Sequence, residues 1–240
     1  MPMLEVRGLH KSFGGVVANS DVTFDVHRGM ILGLIGPNGA GKTTLFNCIT
    51  GHEPPSRGDV IFNGTRVNGR RPDEICRLGM ARTWQKVRPL AKMTVLDNVM
   101  VGALLRTRSL GTAKALAMQE LESVSLAHRA SVHAGGLPIG ERKRLEVARL
   151  LATQPKLVLF DEVMGGLTPT ESDEMVELIF ALKRRGLTQV IIEHDMKAIM
   201  RLSDWVVVLR SGEKLAEGTP SQIVSNPDVI SAYLGDEIDA

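Results

Sequence analysis

Between an apolar run, Ile31 to Ile35, and a helical run, Thr44 to Thr50, the chain reads Gly36-Pro37-Asn38-Gly39-Ala40-Gly41-Lys42-Thr43. No other stretch limits the fold so tightly. A continuous apolar strand that breaks at glycine and passes at once into a helix is expected of a sheet covered on both faces. The glycines let successive backbone N–H groups converge on one point, and the following helix aims the positive end of its dipole there. A triphosphate suits that point, with Lys42 long enough to reach the β and γ phosphates and the Thr43 hydroxyl able to ligand Mg²⁺. The plain alternative is a glycine-rich turn that caps a helix, and the strand before and helix after weigh against it.

Further strands end in polar residues. Leu157 to Phe160 runs into Asp161-Glu162, and Val190 to Ile192 into Glu193-His194. Two acids after a strand are a common helix start. Beside a phosphate loop they gain a role: Asp161 for the metal's water shell and Glu162 for the attacking water. His194, taken alone, reads as a surface loop residue. Val206 to Leu209 adds another apolar strand, and helical segments such as Ser172 to Lys183 alternate with these runs, which predicts a parallel α/β sheet.

Two regions depart from that alternation. Leu4 to Arg7 and Val22 to Val26 alternate apolar and polar residues, predicting an antiparallel flank, and Val60 to Phe62 followed by Asn63-Gly64 signals a hairpin. From Thr94, able to cap a helix with Asp97 three residues on, to Leu105, and again from Ala113 to Val124, the pattern is helical. The expectation is one domain over 1–240, with a core lobe of about 1–86 and 153–240 and an inserted helical lobe of about 87–152.

With 240 residues, 43% of them hydrophobic and 23% charged, the chain can bury a substantial core. Its net charge of +2 is spread over short clusters, Arg70-Arg71, Arg142-Lys143-Arg144 and Lys183-Arg184-Arg185, which read as solvated helix faces and not as a nucleic-acid stripe. Cys48 and Cys76 lack metal-site spacing, which suits a reducing compartment. Neither a basic and apolar leader nor a run near the roughly 18 residues of a spanning helix is visible, so any membrane is expected to be crossed by another subunit.

Three positions stay open on residues alone. Phe13, before Gly14-Gly15, is either core or a ring for an adenine face. Gln85 stands at the junction of sheet and helices, where an amide can contact metal or water. Leu137-Pro138-Ile139-Gly140-Glu141 opens a helix carrying Leu145, Val147, Ala148, Leu150 and Leu151, and is either a plain helix start or an anion site.

In chain order these pieces resemble the ATP-binding cassette family along essentially the whole sequence. The resemblance implies an α/β, P-loop NTPase core with a mixed sheet, an antiparallel β flank and an inserted α-helical lobe, acting as an ATPase that binds ATP and Mg²⁺. It implies that Phe13 stacks on adenine and that Gly36, Pro37, Asn38, Gly39, Ala40, Gly41, Lys42, Thr43 and Thr44 hold the phosphates. Thr43, Gln85 and Asp161 surround the metal, and Glu162, His194 and Gln85 carry the catalysis. Leu137, Pro138, Ile139, Gly140 and Glu141 form the signature segment, which closes over the ATP of a second cassette packed head to tail.

The runs Arg82-Thr83-Trp84-Gln85, Met93-Thr94-Val95-Leu96-Asp97-Asn98-Val99, Glu193-His194-Asp195-Met196 and the tail from Asn226 to Gly235 are similar to the branched-chain amino acid importer subgroup. This implies import of a branched-chain amino acid or a related small amide. It also implies transmembrane permease subunits, a homologous but different second cassette, and, indirectly, a periplasmic or extracellular solute-binding protein. The expected place is peripheral, on the cytoplasmic face of the inner (plasma) membrane. The alternatives are the ATPase of another ABC transporter, such as a lipid exporter, a soluble non-transport ABC ATPase, and a nucleotide-binding regulator with little turnover. The chain departs from the family pattern where Pro138 and Ile139 replace serine and glycine in the signature, where Val163 replaces a proline, and where Thr168 replaces aspartate or asparagine.

Overall fold

The computed structural model describes residues 1–85 and 88–234. The chain starts with a long antiparallel hairpin, β1 (Leu4–Phe13) and β2 (Val16–Val26), then enters β3 (Ile31–Ile35) and helix α1 (Lys42–Ile49). β4 (Arg57–Phe62) and β5 (Thr65–Arg66) complete a four-stranded antiparallel sheet in the order β2-β1-β4-β5. Asn63 and Gly64 join β4 to β5 with φ of 49° and 74°, the two positive values a two-residue hairpin requires.

Helix α2 (Pro72–Leu78) and the short β6 (Met80–Arg82) lead to α3 (Val95–Ala103), α4 (Leu110–Ser123) and α5 (Ile139–Leu151). After these come β7 (Leu157–Asp161), α6 (Pro169–Arg184), β8 (Thr188–Ile192), α7 (Met196–Leu202), β9 (Trp205–Arg210), β10 (Glu213–Gly218), α8 (Pro220–Val224) and α9 (Pro227–Leu234). The larger sheet runs β10-β9-β3-β8-β7-β6, parallel from β9 to β6, with β10 antiparallel at its edge. The mixed sheet and antiparallel flank are as the sequence predicts. The boundary expected at 86 and 87 and the tail residue Gly235 lie outside the described residues.

Alternation along the central strands divides the interior in two. Leu32 and Leu34, Leu157 and Leu159, Val190 and Ile192, and Val207 and Leu209 face α1 and the β flank, in one core with Phe46 and Phe62. Ile31 and Ile35, Val158 and Phe160, Ile191, and Val206 and Val208 face the other way, in a core shared with α3 to α7.

Between β6 and β7 the described residues hold helices and turns, apart from a lone bridge between Thr94 and His133. Thr94 caps α3 as expected, its Oγ1 accepting from the Asp97 amide at 3.1 Å. The buried Asn98 bonds both the N–H (2.8 Å) and the C=O (3.1 Å) of Leu90, which fixes the approach to α3. Arg106 ties the end of α3 back to the sheet side through the carbonyls of Thr153 (2.6 Å) and Arg77 (3.0 Å).

Candidate functional site

β3 is buried along its length and ends at Gly36, whose φ is 152°. A Cβ there would collide with the Leu209 carbonyl. At Gly41 φ is 93°, a Cβ would collide with the Ala18 carbonyl, and the buried Asn19 of β2 donates to the Gly41 carbonyl at 3.3 Å. Only glycine meets both demands at these two points. No side chain caps α1, so the amides of its first turn have no partner inside the helix. Lys42 folds over the loop, donating to the carbonyls of Gly36 (2.6 Å) and Pro37 (2.9 Å). Burial pulls its pKa down, and the carboxylates of Glu162 and Asp161 oppose that shift. Asn38, Gly39 and Thr43 are exposed, Pro37 and Thr44 half-buried, and Ala40 buried.

Asp161 closes β7 and is 1% exposed. Its Oδ2 accepts from Arg82 at 2.6 Å, its N–H donates to Thr83 Oγ1 at 3.0 Å, and its Oδ1 is buried without a protein partner. The same guanidinium donates to Asn47 Oδ1 at 2.6 Å and lies 5.4 Å from the Phe46 ring centre and 4.8 Å from that of Trp84. Arg82 thus joins β6, β7 and α1 through one buried cation. Thr43, Asn47, Arg82, Trp84, Gln85 and Asp161 line part of a cavity of about 550 Å³. An unpaired carboxylate oxygen, a hydroxyl and an amide around one cavity are hard oxygen donors, the set that suits Mg²⁺ with retained waters and substrate phosphates. Such a site needs no dense ligand cage, and among the described residues no group of three His, Cys, Asp or Glu side chains forms one.

Glu162 follows in the left-handed region, at φ 51°. A non-glycine residue there costs on the order of 1–3 kcal/mol and persists only when its surroundings over-determine it. Here the Glu162 N–H donates to the Ile192 carbonyl at 2.9 Å, and its own carbonyl accepts from the Gly165 amide (3.2 Å) and from Lys143 Nζ (2.7 Å). The carboxylate is thereby held between Gln85 Nε2, 2.7 Å from Oε2, and His194 Nε2, 2.8 Å from Oε1. Three side chains expected from the sequence to act in catalysis form one hydrogen-bonded chain. Parallel pairing of Asp161 with Ile192 brings two of their strand ends to the same rim. A carboxylate fixed in this way is arranged to orient and polarise a water.

The remaining expected residues lie elsewhere. Phe13 is 46% exposed, which removes the core alternative, and the Lys11 ammonium sits 4.6 Å from its ring centre. It ends the strand paired with β2, whose Asn19 supports the loop. Leu137 to Glu141 lies at the start of α5, with Pro138 as an N-cap that has no side-chain bond and Ile139 44% exposed. Gly140 is packed against the Glu171 carboxylate, and Glu141 accepts from Arg129 at 3.1 Å. Among the described residues no hydrogen bond links this segment to residues 36–44. Thr168 caps α6 in a reciprocal box with Glu171, the task an aspartate would do there.

One expectation is corrected. The cluster Arg142-Lys143-Arg144 is not a uniformly solvated face, because Lys143 is 3% exposed and points to Glu162. Around it are Glu193, whose Oε1 accepts from the Met164 amide at 2.7 Å, and Glu146, whose Oε1 accepts from the Trp84 amide at 2.9 Å. Burial lowers the pKa of Lys143, raises that of Glu146, and raises that of Glu193 to about 7. The sequence reading also missed Arg82 and Asn47. The signal for Lys143 was its place on the stripe 143, 147, 150 of α5, shared with buried Val147 and Leu150.

A family model described as ABC transporter matches residues 19–165, and one described as Branched-chain amino acid ATP-binding cassette transporter matches residues 213–239. The high-affinity branched-chain amino acid transport ATP-binding protein LivG of Escherichia coli (strain K12) is 41% identical, over 98% of each chain. The corresponding protein BraF of Pseudomonas aeruginosa is also 41% identical, over 98% of each. Among solved structures, the ADP conformation of MJ1267, an ATP-binding cassette of an ABC transporter, superposes with a TM-score of 0.89 at 31% identity, covering 98% of this chain and 99% of that one.

Proposed function

The chain belongs to the ABC transporter ATP-binding family, and from that premise we propose that it is the ATP-hydrolysing subunit of an importer of branched-chain amino acids or related small amides. The observation that carries this reading is the Gln85–Glu162–His194 chain at the rim beside the phosphate loop. Relatives at 41% identity over nearly the whole chain support the cargo.

In the proposed cycle the β and γ phosphates take the place of the loop carbonyls as partners of Lys42, and the loop and first-turn amides hold their oxygens. Phe13 stacks on the adenine. Glu162 polarises a water whose oxygen bonds to the γ phosphorus as the bond to the β–γ bridging oxygen breaks; the water's proton goes to the carboxylate and ADP leaves. His194 contacts the γ phosphate, and Gln85 follows whether it is present. Thr43 and Asp161, with Gln85 in reach, would hold Mg²⁺, which would supply charge neutralisation on the phosphates.

The helices between about 87 and 152 form the lobe that moves, and Leu137 to Glu141 closes over the nucleotide of a second, homologous cassette. With Pro138 lacking both hydroxyl and N–H, that contact rests on the α5 dipole and the amides of Ile139 and Gly140. No described helix is long and apolar enough to cross a membrane, so permease subunits provide the path. A groove of about 410 Å³ lined in part by Ile75, Met80, Trp84, Val101, Leu105 and Leu150 suits the apolar face of a permease helix. The protein then sits peripherally on the cytoplasmic face, and a solute-binding protein delivers cargo on the other side.

The test is to co-purify the chain with its permease and second cassette, reconstitute them in vesicles and follow ATP-dependent uptake of leucine, isoleucine, valine and small amides. Saturable uptake of one of these is expected; uptake of none refutes the cargo.

A further inference from the structure

One side chain that holds the Glu162 backbone from outside its own loop is on α5. We propose that Lys143 is a positioning residue for hydrolysis: it holds the Glu162 carbonyl, and so the left-handed backbone that presents the carboxylate to Gln85 and His194. The inference rests on the reading of Glu162 as the group that activates water.

Four observations converge on it. Lys143 Nζ donates to the Glu162 carbonyl at 2.7 Å, a charge-assisted bond made almost entirely out of water. The acceptor belongs to the one residue of the catalytic trio with a positive φ, a conformation that needs external restraint. The turn after Glu162 is pinned from its other side by Glu193, which accepts the Met164 amide and is the foremost negative charge acting on Lys143. The same carbonyl also accepts the Gly165 amide at 3.2 Å, which closes the turn that Lys143 holds from α5.

The consequence is directional. α5 begins within the Leu137 to Glu141 segment, whose Pro138 and Ile139 are exposed, and Lys143 lies two residues beyond it. Whatever seats or shifts that first turn therefore moves the group that sets the backbone of Glu162, with no intermediate side chain. Lys143 touches neither phosphate nor water in this scheme; it acts through Glu162.

The experiment compares wild type, K143M, K143R, E162Q and K143M/E162Q in the assembled transporter. K143M is expected to lower kcat about 10²-fold, as a displacement near 1 Å does, while KM and the Mg·ATP Kd stay within about twofold. K143R, which restores a cationic donor, is expected to recover most of the loss. In the E162Q background K143M is expected to change residual turnover less than about twofold, because its route is already cut. If K143M alone disturbs folding by leaving Glu193 buried without its cation, K143M/E193Q removes both charges and is expected to keep the kcat defect at wild-type melting temperature. The proposal is overturned if folded K143M or K143M/E193Q turns over within twofold of wild type, if the losses at 143 and 162 multiply, or if KM and Kd rise in step with the fall in kcat. Full turnover by E162Q removes the premise, and the proposal with it.

Discussion

At the rim of the large sheet, Glu162 is bonded to Gln85 and His194, and Lys42 is already folded over the loop it serves. At the start of α5, Ile139 lies 44% exposed on a helix end that no side chain caps. The first region is built inside one chain, with the Glu162 carboxylate paired on both oxygens and its strained backbone held. The second presents the exposed Pro138 and Ile139 at the helix start, with Leu137 and Gly140 buried behind them. In the proposed cycle the contrast separates two tasks: hydrolytic geometry is set by the chain itself, whereas the moment of closure is left to a surface from outside. Pre-organisation of the first kind costs no reorganisation at the moment of reaction.

The sharpest way to break this contrast is at the finished end. E162Q keeps the shape and both neighbours but removes the base, and is expected to lower kcat by about 10³-fold with Mg·ATP affinity preserved. Turnover assays paired with calorimetric binding check it, and undiminished turnover would show that the completed rim is not the seat of the chemistry.

A smaller effect probes the burial beneath that rim. Burial lifts Glu193 from its ordinary value of 4.5 to about 7, with Lys143, Glu162 and His194 as the charges acting on it. Between those values the native state holds a proton that the unfolded chain has lost. Stability therefore falls as pH rises from about 4.5 to 7, and the whole penalty is present above that window. E193Q is expected to remove this slope, so that from about pH 5 to pH 8 wild type loses on the order of 1–3 kcal/mol more than the variant in denaturant unfolding. Parallel slopes would contradict it.

The smallest expected change is at the open end. P138S supplies the missing hydroxyl cap for α5 and is expected to add about 1 kcal/mol, a rise of roughly 2–4 °C in melting temperature. Nucleotide affinity of the isolated chain should not move, because among the described residues no hydrogen bond links that segment to residues 36–44. A change in that affinity would mean that the two regions are not separate within one chain.

The same contrast marks what a sequence discloses. The phosphate loop, the Asp161-Glu162 pair and the Asn63-Gly64 turn were legible because each is a local pattern whose meaning depends on adjacent residues. β6, at three residues, is too short to show a period, and the polar edge strand β10, Glu-Lys-Leu-Ala-Glu-Gly, shows no clean alternation. Lys143 was misread because its basic neighbours Arg142 and Arg144 signal solvent, while the groups that explain its burial, Glu162 and Glu193, are 19 and 50 positions away. Phe13 was undecided because an aromatic before two glycines fits either a core or a ligand face, and only its exposure in space separates them.

Leu159 and Phe160 are consecutive, yet one leans on α1 and the β flank and the other on the helices opposite. The large sheet is in this sense a party wall. Among the described residues no buried side chain of the central strands belongs to both rooms, and Arg82, Gln85 and Lys143 meet at the strand ends, on Asp161 and Glu162.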